Sequence, residues 1–149
     1  MIAMRPPIDS RRLFAVLVAA LLAALVASTV FAFSRSQSAQ GWAFLDGGIG
    51  RSEIESMDAE KGKYSLRVIT AARVSGAYLA DVDVSITDEK GAKVFERRLQ
   101  GPWLLIDLPL GRYEVRGRVG QETINRITTI HPGDHHQMVL YFDAQAEKP

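Results

Sequence analysis

Three histidines lie close together near the end of the chain, and their spacing is the first pattern that could support chemistry. They are His131, His135 and His136, with Asp134 among them. Imidazole and carboxylate groups are ligands for Zn²⁺ and Cu²⁺. Neighbouring residues of a strand point to opposite faces, so we expect only one of His135 and His136 to join His131 across the turn. Two ligands make a weak site. We therefore predict solvated histidines without a metal, and a small metal-binding protein or enzyme at this turn is the alternative.

A glycine-rich turn is the second candidate. Gly47, Gly48 and Gly50 surround Ile49 just before a predicted helix. Free N–H groups at a helix start can bind an anion. The segment has neither the lysine nor the length of a P-loop, and it does not match the dinucleotide-binding fingerprint. We favour a sharp turn that docks the helix on the rest of the domain, and we keep these three glycines as candidate binding residues.

Trp103 is the remaining candidate binding residue. An exposed tryptophan could stack on a sugar or anchor a protein partner. In the apolar run WLLIDL, residues 103–108, a core position is the more common outcome.

Arginines form a stripe on a predicted strand. Arg112, Arg116 and Arg118 share one strand face with Glu114. Such a face is usually solvated and carries cross-strand ion pairs. A patch for an anionic partner is the alternative.

The sequence carries no recognisable catalytic motif. It has no cysteine, which excludes thiolate chemistry, disulfides and cysteine-based metal centres. Neither a G-x-S-x-G elbow nor an H-E-x-x-H helix is present. We predict no catalytic residues, no cofactor and no enzymatic activity.

The N-terminal segment predicts export. Three arginines precede an uncharged apolar run over residues 13–33, and polar residues follow it. This is the pattern of a signal peptide over residues 1–39, although the run is also long enough to remain as a membrane anchor. Both outcomes stay open. Arg11 and Arg12 also resemble a twin-arginine signal, but we interpret them as the end of an ordinary basic region. The positive-inside rule places the rest of the chain outside the cytoplasm, in the periplasm or another extracytoplasmic space.

Charge limits the partners. From Gln40 onward the chain has 14 basic and 16 acidic side chains, a net charge of −2. A near-neutral domain has no general attraction for nucleic acid. We predict no nucleic-acid partner, and membrane contact only through the N-terminal segment.

Residues 40–62 are predicted to hold a strand or tether, the glycine turn and one short helix. The helix is expected over residues 53–61. Ser52 would be its N-cap, with Glu55 completing a capping box, and Gly62 would be its C-cap.

Residues 63–143 predict a β-domain. Apolar and polar residues alternate with a period of two, and turn residues recur about every ten positions. The pattern favours an all-β antiparallel sandwich of about seven strands, followed by a tail at 144–149. One strand contains isoleucines three apart, which indicates a bulge or an edge position. The predicted strands are 64–68, 82–87, 94–99, 103–108, 112–119, 123–130 and 137–142.

The stretch LPLGRYEV, residues 108–115, resembles the L-P-x-G-x-Y-x-V pattern of carboxypeptidase regulatory-like domains, which are transthyretin-like (prealbumin-like) sandwiches. Residues 82–88 followed by Gly91 are similar to the strand and D-x-x-G turn of that family. The resemblance covers residues 64–142 and implies that Tyr113 places its ring in the core and its hydroxyl near backbone. In carboxypeptidases the module accompanies a zinc peptidase domain, and no such domain fits here.

Together these patterns predict an exported cell-envelope binding or structural module of a bacterium. Its partner would be an envelope protein or a glycan, recognised through loops or a free sheet edge.

Overall fold

The computed structural model describes residues 36–143. The predicted apolar run at 13–33 and the tail at 144–149 lie outside this range. Within it, no helix is long and apolar enough to cross a membrane. In chain order the elements are β1 (Ser36–Gln37), β2 (Ala43–Gly47), α1 (Arg51–Glu60), a 3₁₀ turn (Lys61–Lys63), β3 (Leu66–Ala72), β4 (Asp83–Asp88), β5 (Lys93–Arg98), β6 (Trp103–Ile106), β7 (Gly111–Val119), β8 (Glu122–Ile130) and β9 (His136–Phe142).

The strands form two sheets, as the sequence predicts. The first has the order β1-β2-β6-β3-β9 and the second has the order β5-β4-β7-β8. Alternate side chains of both sheets meet in one core, in which Leu66 and Leu104 of the first sheet pack with Val84 and Val115 of the second. This burial explains why the alternation in the sequence predicts the strands well. β2, within the segment expected to precede the sandwich, pairs with β6 inside the first sheet.

The expectation of a wholly antiparallel fold is wrong at one pair. β9 lies parallel to β3, from Leu66 opposite His136 to Ala72 opposite Phe142. The short turn after β8 carries the chain from the second sheet to the first, at the end where β3 begins. β9 must then run in the same direction as β3. Residue patterns within one strand carry no information about this direction.

β6 is buried on both faces. Leu104 and Ile106 belong to the core between the sheets, whereas Trp103 and Leu105 point to the opposite face. All four side chains are nevertheless at most 5% exposed. The uninterrupted apolar sequence WLLI is the signature of a central strand that is covered from both sides.

The helix starts and ends differently from the prediction. It begins at Arg51 after Gly50, and no side chain caps it, so Ser52 is not the N-cap. The carboxylate of Glu53 instead accepts a hydrogen bond of 2.6 Å from the N–H of Ile49. Gly62 lies inside the 3₁₀ turn and not at a left-handed C-cap, because the chain tightens into that turn directly after Glu60.

Two finer expectations about strand geometry have clear outcomes. β8 is an edge strand, as the isoleucine spacing indicated. It contains no bulge, because its register with β7 is continuous from Val119 opposite Glu122 to Gly111 opposite Ile130.

Tyr113 is buried, and its hydroxyl donates a 3.0 Å hydrogen bond to the carbonyl of Pro109, which agrees with the contact that the family resemblance implied.

Candidate functional site

The glycine turn is held by close packing. A Cβ atom on Gly101 would overlap the carbonyl group of Gly47, and one on Gly48 would lie 3.1 Å from the indole of Trp103. Gly48 also has a φ of 91°, in the region that favours glycine. The glycines therefore let the turn lie directly on the start of β6, and this contact docks α1 on the first sheet.

The N–H groups of the glycine turn are not all open to an anion. The carboxylate of Glu53 accepts a hydrogen bond from the N–H of Ile49. The N–H of Ile54 is also occupied, because it donates a 3.2 Å hydrogen bond to the carbonyl of Gly50. An internal carboxylate thus stands where an external anion would be expected to bind.

Trp103 offers little surface to a ligand. It is 5% exposed, and its ring is flanked by the Arg67 guanidinium at 4.9 Å and by the Tyr78 ring at 6.3 Å in an edge-to-face arrangement. Its indole N–H has no hydrogen-bond partner among residues 36–143. Arg67 in turn forms a 3.0 Å ion pair with Asp58 of α1. The tryptophan therefore joins the helix to the sheet.

The arginine stripe lies on the outer face of the second sheet. Arg118 pairs with Asp83 of β4 at 3.0 Å, and Arg116 pairs with Glu114 at 3.3 Å. Arg112 is exposed and has no ion-pair partner in the described part of the chain. This is largely the solvated, self-paired face that the sequence predicts, and such pairs contribute little to stability.

The histidine turn is more organised than its sequence suggests. Pro132 and Gly133 form the turn, with a 3.1 Å hydrogen bond from the Asp134 N–H to the His131 carbonyl. Gly133 has a φ of 79°, which the third position of a type II turn requires. The Asp134 side chain returns to the turn, and its Oδ2 accepts from the His131 N–H at 2.7 Å.

Two imidazoles converge on that same carboxylate. His131 Nδ1 lies 3.1 Å and His136 Nε2 lies 2.9 Å from Asp134 Oδ2. The backbone N–H of His131, then the His136 and His131 side chains, hold the pKa of Asp134 below its usual range. One nitrogen or oxygen from each of the three side chains lies within 4.8 Å of the others.

His135 does not belong to this group. Its Nδ1 lies 2.9 Å from the carbonyl oxygen of Tyr64, to which it can donate, and the residue directly precedes β9. The expectation that only one of the adjacent histidines would join His131 is confirmed. With Asp134 included, three side chains that could bind a metal lie together, instead of the two histidines expected from the sequence.

A cleft of about 400 Å³ lies beside the histidine turn. Three segments far apart in the sequence line it, together with Trp42. They are residues 62–65, residues 107–110, and residues 130, 131 and 133–135. Sequence reasoning missed this cleft, because the segments meet only when the two sheets are closed over their core.

The two edge strands of the second sheet, β5 and β8, differ in character. β5 carries charges on four of its six residues and shifts register against β4. β8 is nine residues long and has a single neighbour, β7, within residues 36–143. Its outward side chains are Thr123, Asn125, Ile127 and Thr129, and Ile127 is 60% exposed. β8 is therefore the longer and less charged edge of its sheet.

The chain matches no protein-family model. Comparison with curated proteins gave no significant match either.

Proposed function

We propose that this chain is an exported, non-catalytic module of the bacterial cell envelope that binds an extended segment of a partner protein along β8. The observation that carries the proposal is the open edge of β8, nine residues long with one neighbouring strand among the described residues. Backbone N–H and C=O groups at such an edge are available to an added strand.

The composition of β8 supports pairing and offers little protection against it. Edge strands that avoid partners carry lysine, proline or bulges. β8 has no lysine, no proline and an uninterrupted register with β7, and its charged residues are Glu122 at its first position and Arg126 opposite Val115. β5, at the other edge of the same sheet, has both dense charge and a register shift. β8 is thus the edge of this sheet that is less protected against pairing with an added strand.

Ile127 is the side chain that we expect to give the interaction its apolar contact. It lies on the outer face opposite Glu114, between Asn125 and Thr129, and most of its surface is exposed. An added strand with an apolar side chain beside Ile127 would cover that surface, for a gain of about 1 kcal/mol. The partner segment is thus expected to be extended and to have a β-branched or aromatic residue at this position.

The glycan alternative loses the residue on which the sequence based it, although Tyr78 and Tyr141 keep exposed surface. Sugar recognition through stacking needs an exposed aromatic face, and Trp103 is buried under Arg67 and Tyr78. The location in the envelope is supported by the basic, apolar and polar pattern of residues 1–39. Membership of the carboxypeptidase regulatory-like family is supported by the residues 108–115 and the buried Tyr113.

Site-specific photocrosslinking in the intact cell tests the edge. A benzophenone amino acid is placed at Ile127, and separately at Glu96 of β5 and at Val74, which is 94% exposed in the turn after β3. We expect a discrete adduct from position 127 only, with mass spectrometry mapping it to one extended segment. Adducts of equal yield at all three positions, or none at 127, would contradict the proposal.

A synthetic peptide of the mapped segment then provides the quantitative test. Ile127→Lys should weaken binding about tenfold, because the apolar contact is lost and a charge is introduced at the edge. Val74→Lys is the matched control, since it also replaces a β-branched apolar residue with lysine, at a position more exposed than Ile127 (94% against 60%), and it should leave the Kd unchanged. Hydrogen exchange should slow in β8 on peptide binding and stay constant in β5.

A further inference from the structure

We propose that His131, Asp134 and His136 form a binding site for a divalent transition-metal ion, with Zn²⁺ and Cu²⁺ as the fitting ions. The ligand atoms are His131 Nδ1, a carboxylate oxygen of Asp134 and His136 Nε2. The site is independent of the β8 edge and differs in its ligands from a site made of the three histidines alone.

The distances fit a metal of this class. Zn²⁺ binds imidazole nitrogen and carboxylate oxygen at about 2.0–2.2 Å, so tetrahedral ligands are roughly 3.3 Å apart. The two separations from Asp134 Oδ2 are 3.1 Å and 2.9 Å. The two imidazole nitrogens lie no more than 4.8 Å apart. Both rings are exposed, at 68% and 45% of their side-chain surface, so small rotations can close that separation.

The turn arranges the ligands before any metal arrives. The His131 N–H holds Asp134 Oδ2 at 2.7 Å, and Pro132 and Gly133 fix the path between the two ligands. His136 begins β9, where its pairing with Leu66 anchors the backbone. Ligands fixed on a turn and a paired strand lose little conformational freedom on binding a metal, which favours affinity.

The donor set selects the ion. Two imidazoles and one carboxylate suit Zn²⁺ and Cu²⁺, and they do not suit Ca²⁺ or Mg²⁺, which prefer oxygen ligands. Three protein ligands on an exposed turn leave a coordination position for water or for a donor from another molecule. Cu²⁺ is expected to bind more tightly than Zn²⁺ at these ligands.

Isothermal titration of the tag-free, full-length chain with ZnCl₂ tests the site, with His135→Ala as the matched control. One Zn²⁺ per chain should bind. His131→Ala, His136→Ala and Asp134→Asn should each weaken binding at least about tenfold. Asp134→Asn retains an oxygen that can accept the His131 N–H, so the turn is expected to survive. His135→Ala should change the Kd less than about threefold, because that ring lies beside Tyr64.

Ring nitrogen NMR shifts identify the ligand atoms directly. Zn²⁺ should shift His131 Nδ1 and His136 Nε2 and leave His135 unchanged. Absence of saturable binding up to roughly 1 mM Zn²⁺ would overturn the proposal. So would an equal loss of affinity in His135→Ala, since it would indicate nonspecific binding to any histidine of the turn. Unchanged melting of all four variants in EDTA checks that each remains folded.

Discussion

Alanine in place of Gly101 is expected to destabilise the protein by about 1–3 kcal/mol, the usual cost of overpacking. The added Cβ would overlap the carbonyl group of Gly47. The Gly47 carbonyl belongs to main chain that is paired with β6, Gly47 being opposite Trp103, and the added Cβ is attached directly to the main chain of Gly101 just before β6, so neither can rotate aside. The sheet must separate locally, and the glycine turn that docks α1 must move with it.

Two further glycines make this a graded series with one chemical change. At Gly117 the new Cβ would lie 2.7 Å from Leu140 Cδ1 and 2.9 Å from Phe142 Cζ. These atoms are the ends of side chains and can yield, so we expect a cost near 1 kcal/mol. At Gly62 there is nothing within 4 Å and no positive φ. Alanine there should be neutral or stabilising by about 0.5 kcal/mol, through the entropy of the unfolded chain.

Urea denaturation followed by tryptophan fluorescence measures the series, and an unchanged m-value shows that the unfolding transition is the same. The expected order of destabilisation is Gly101→Ala, then Gly117→Ala, then Gly62→Ala. For a domain of this size, the first variant should lower the melting temperature by roughly 4–12 °C. A neutral Gly101→Ala, or a Gly62→Ala as damaging as Gly101→Ala, would refute the packing argument.

Two other predictions concern buried polar groups. Tyr113→Phe should cost about 0.5–1.5 kcal/mol through loss of the hydrogen bond to Pro109. Burial, with Asp88 and Glu89 nearby, raises the pKa of Tyr113 above 10.0, so the unfolded chain loses this proton first and stability should fall as the pH rises past that value. Urea midpoints between pH 8 and 11 should show this alkaline loss in the wild type and a smaller one in Tyr113→Phe. Asp46→Ala should cost about 1–3 kcal/mol, because the 8% exposed carboxylate accepts from both Arg97 and the Gln100 N–H. Glu96→Ala, at the exposed pair with Lys93, is its control and should change stability by less than about 0.5 kcal/mol. Equal effects of these two variants would argue against the burial of Asp46 as the cause.

Sequence alone determined the features that depend on neighbouring residues. The alternation of apolar and polar residues predicted the positions of the strands, because one face of each strand is buried and the other is exposed to solvent. Pro132 and Gly133 fixed a turn, because their backbone preferences are local. The stripe from Arg112 to Arg118 was predicted as a solvated face for the same reason, since alternate residues must leave the core together.

Tertiary structure decided everything that joins distant segments. The parallel pairing of β9 with β3 depends on where the chain enters the first sheet. Trp103 is buried because Arg67, Tyr78 and the glycine turn come from three other parts of the chain to cover it. The convergence of two imidazoles on Asp134 depends on the angle at which the turn delivers β9 to that sheet. The apolar period in the sequence shows which face of a strand is buried. It does not show which residues pack against that face, because those contacts form only when the two sheets close over a common core.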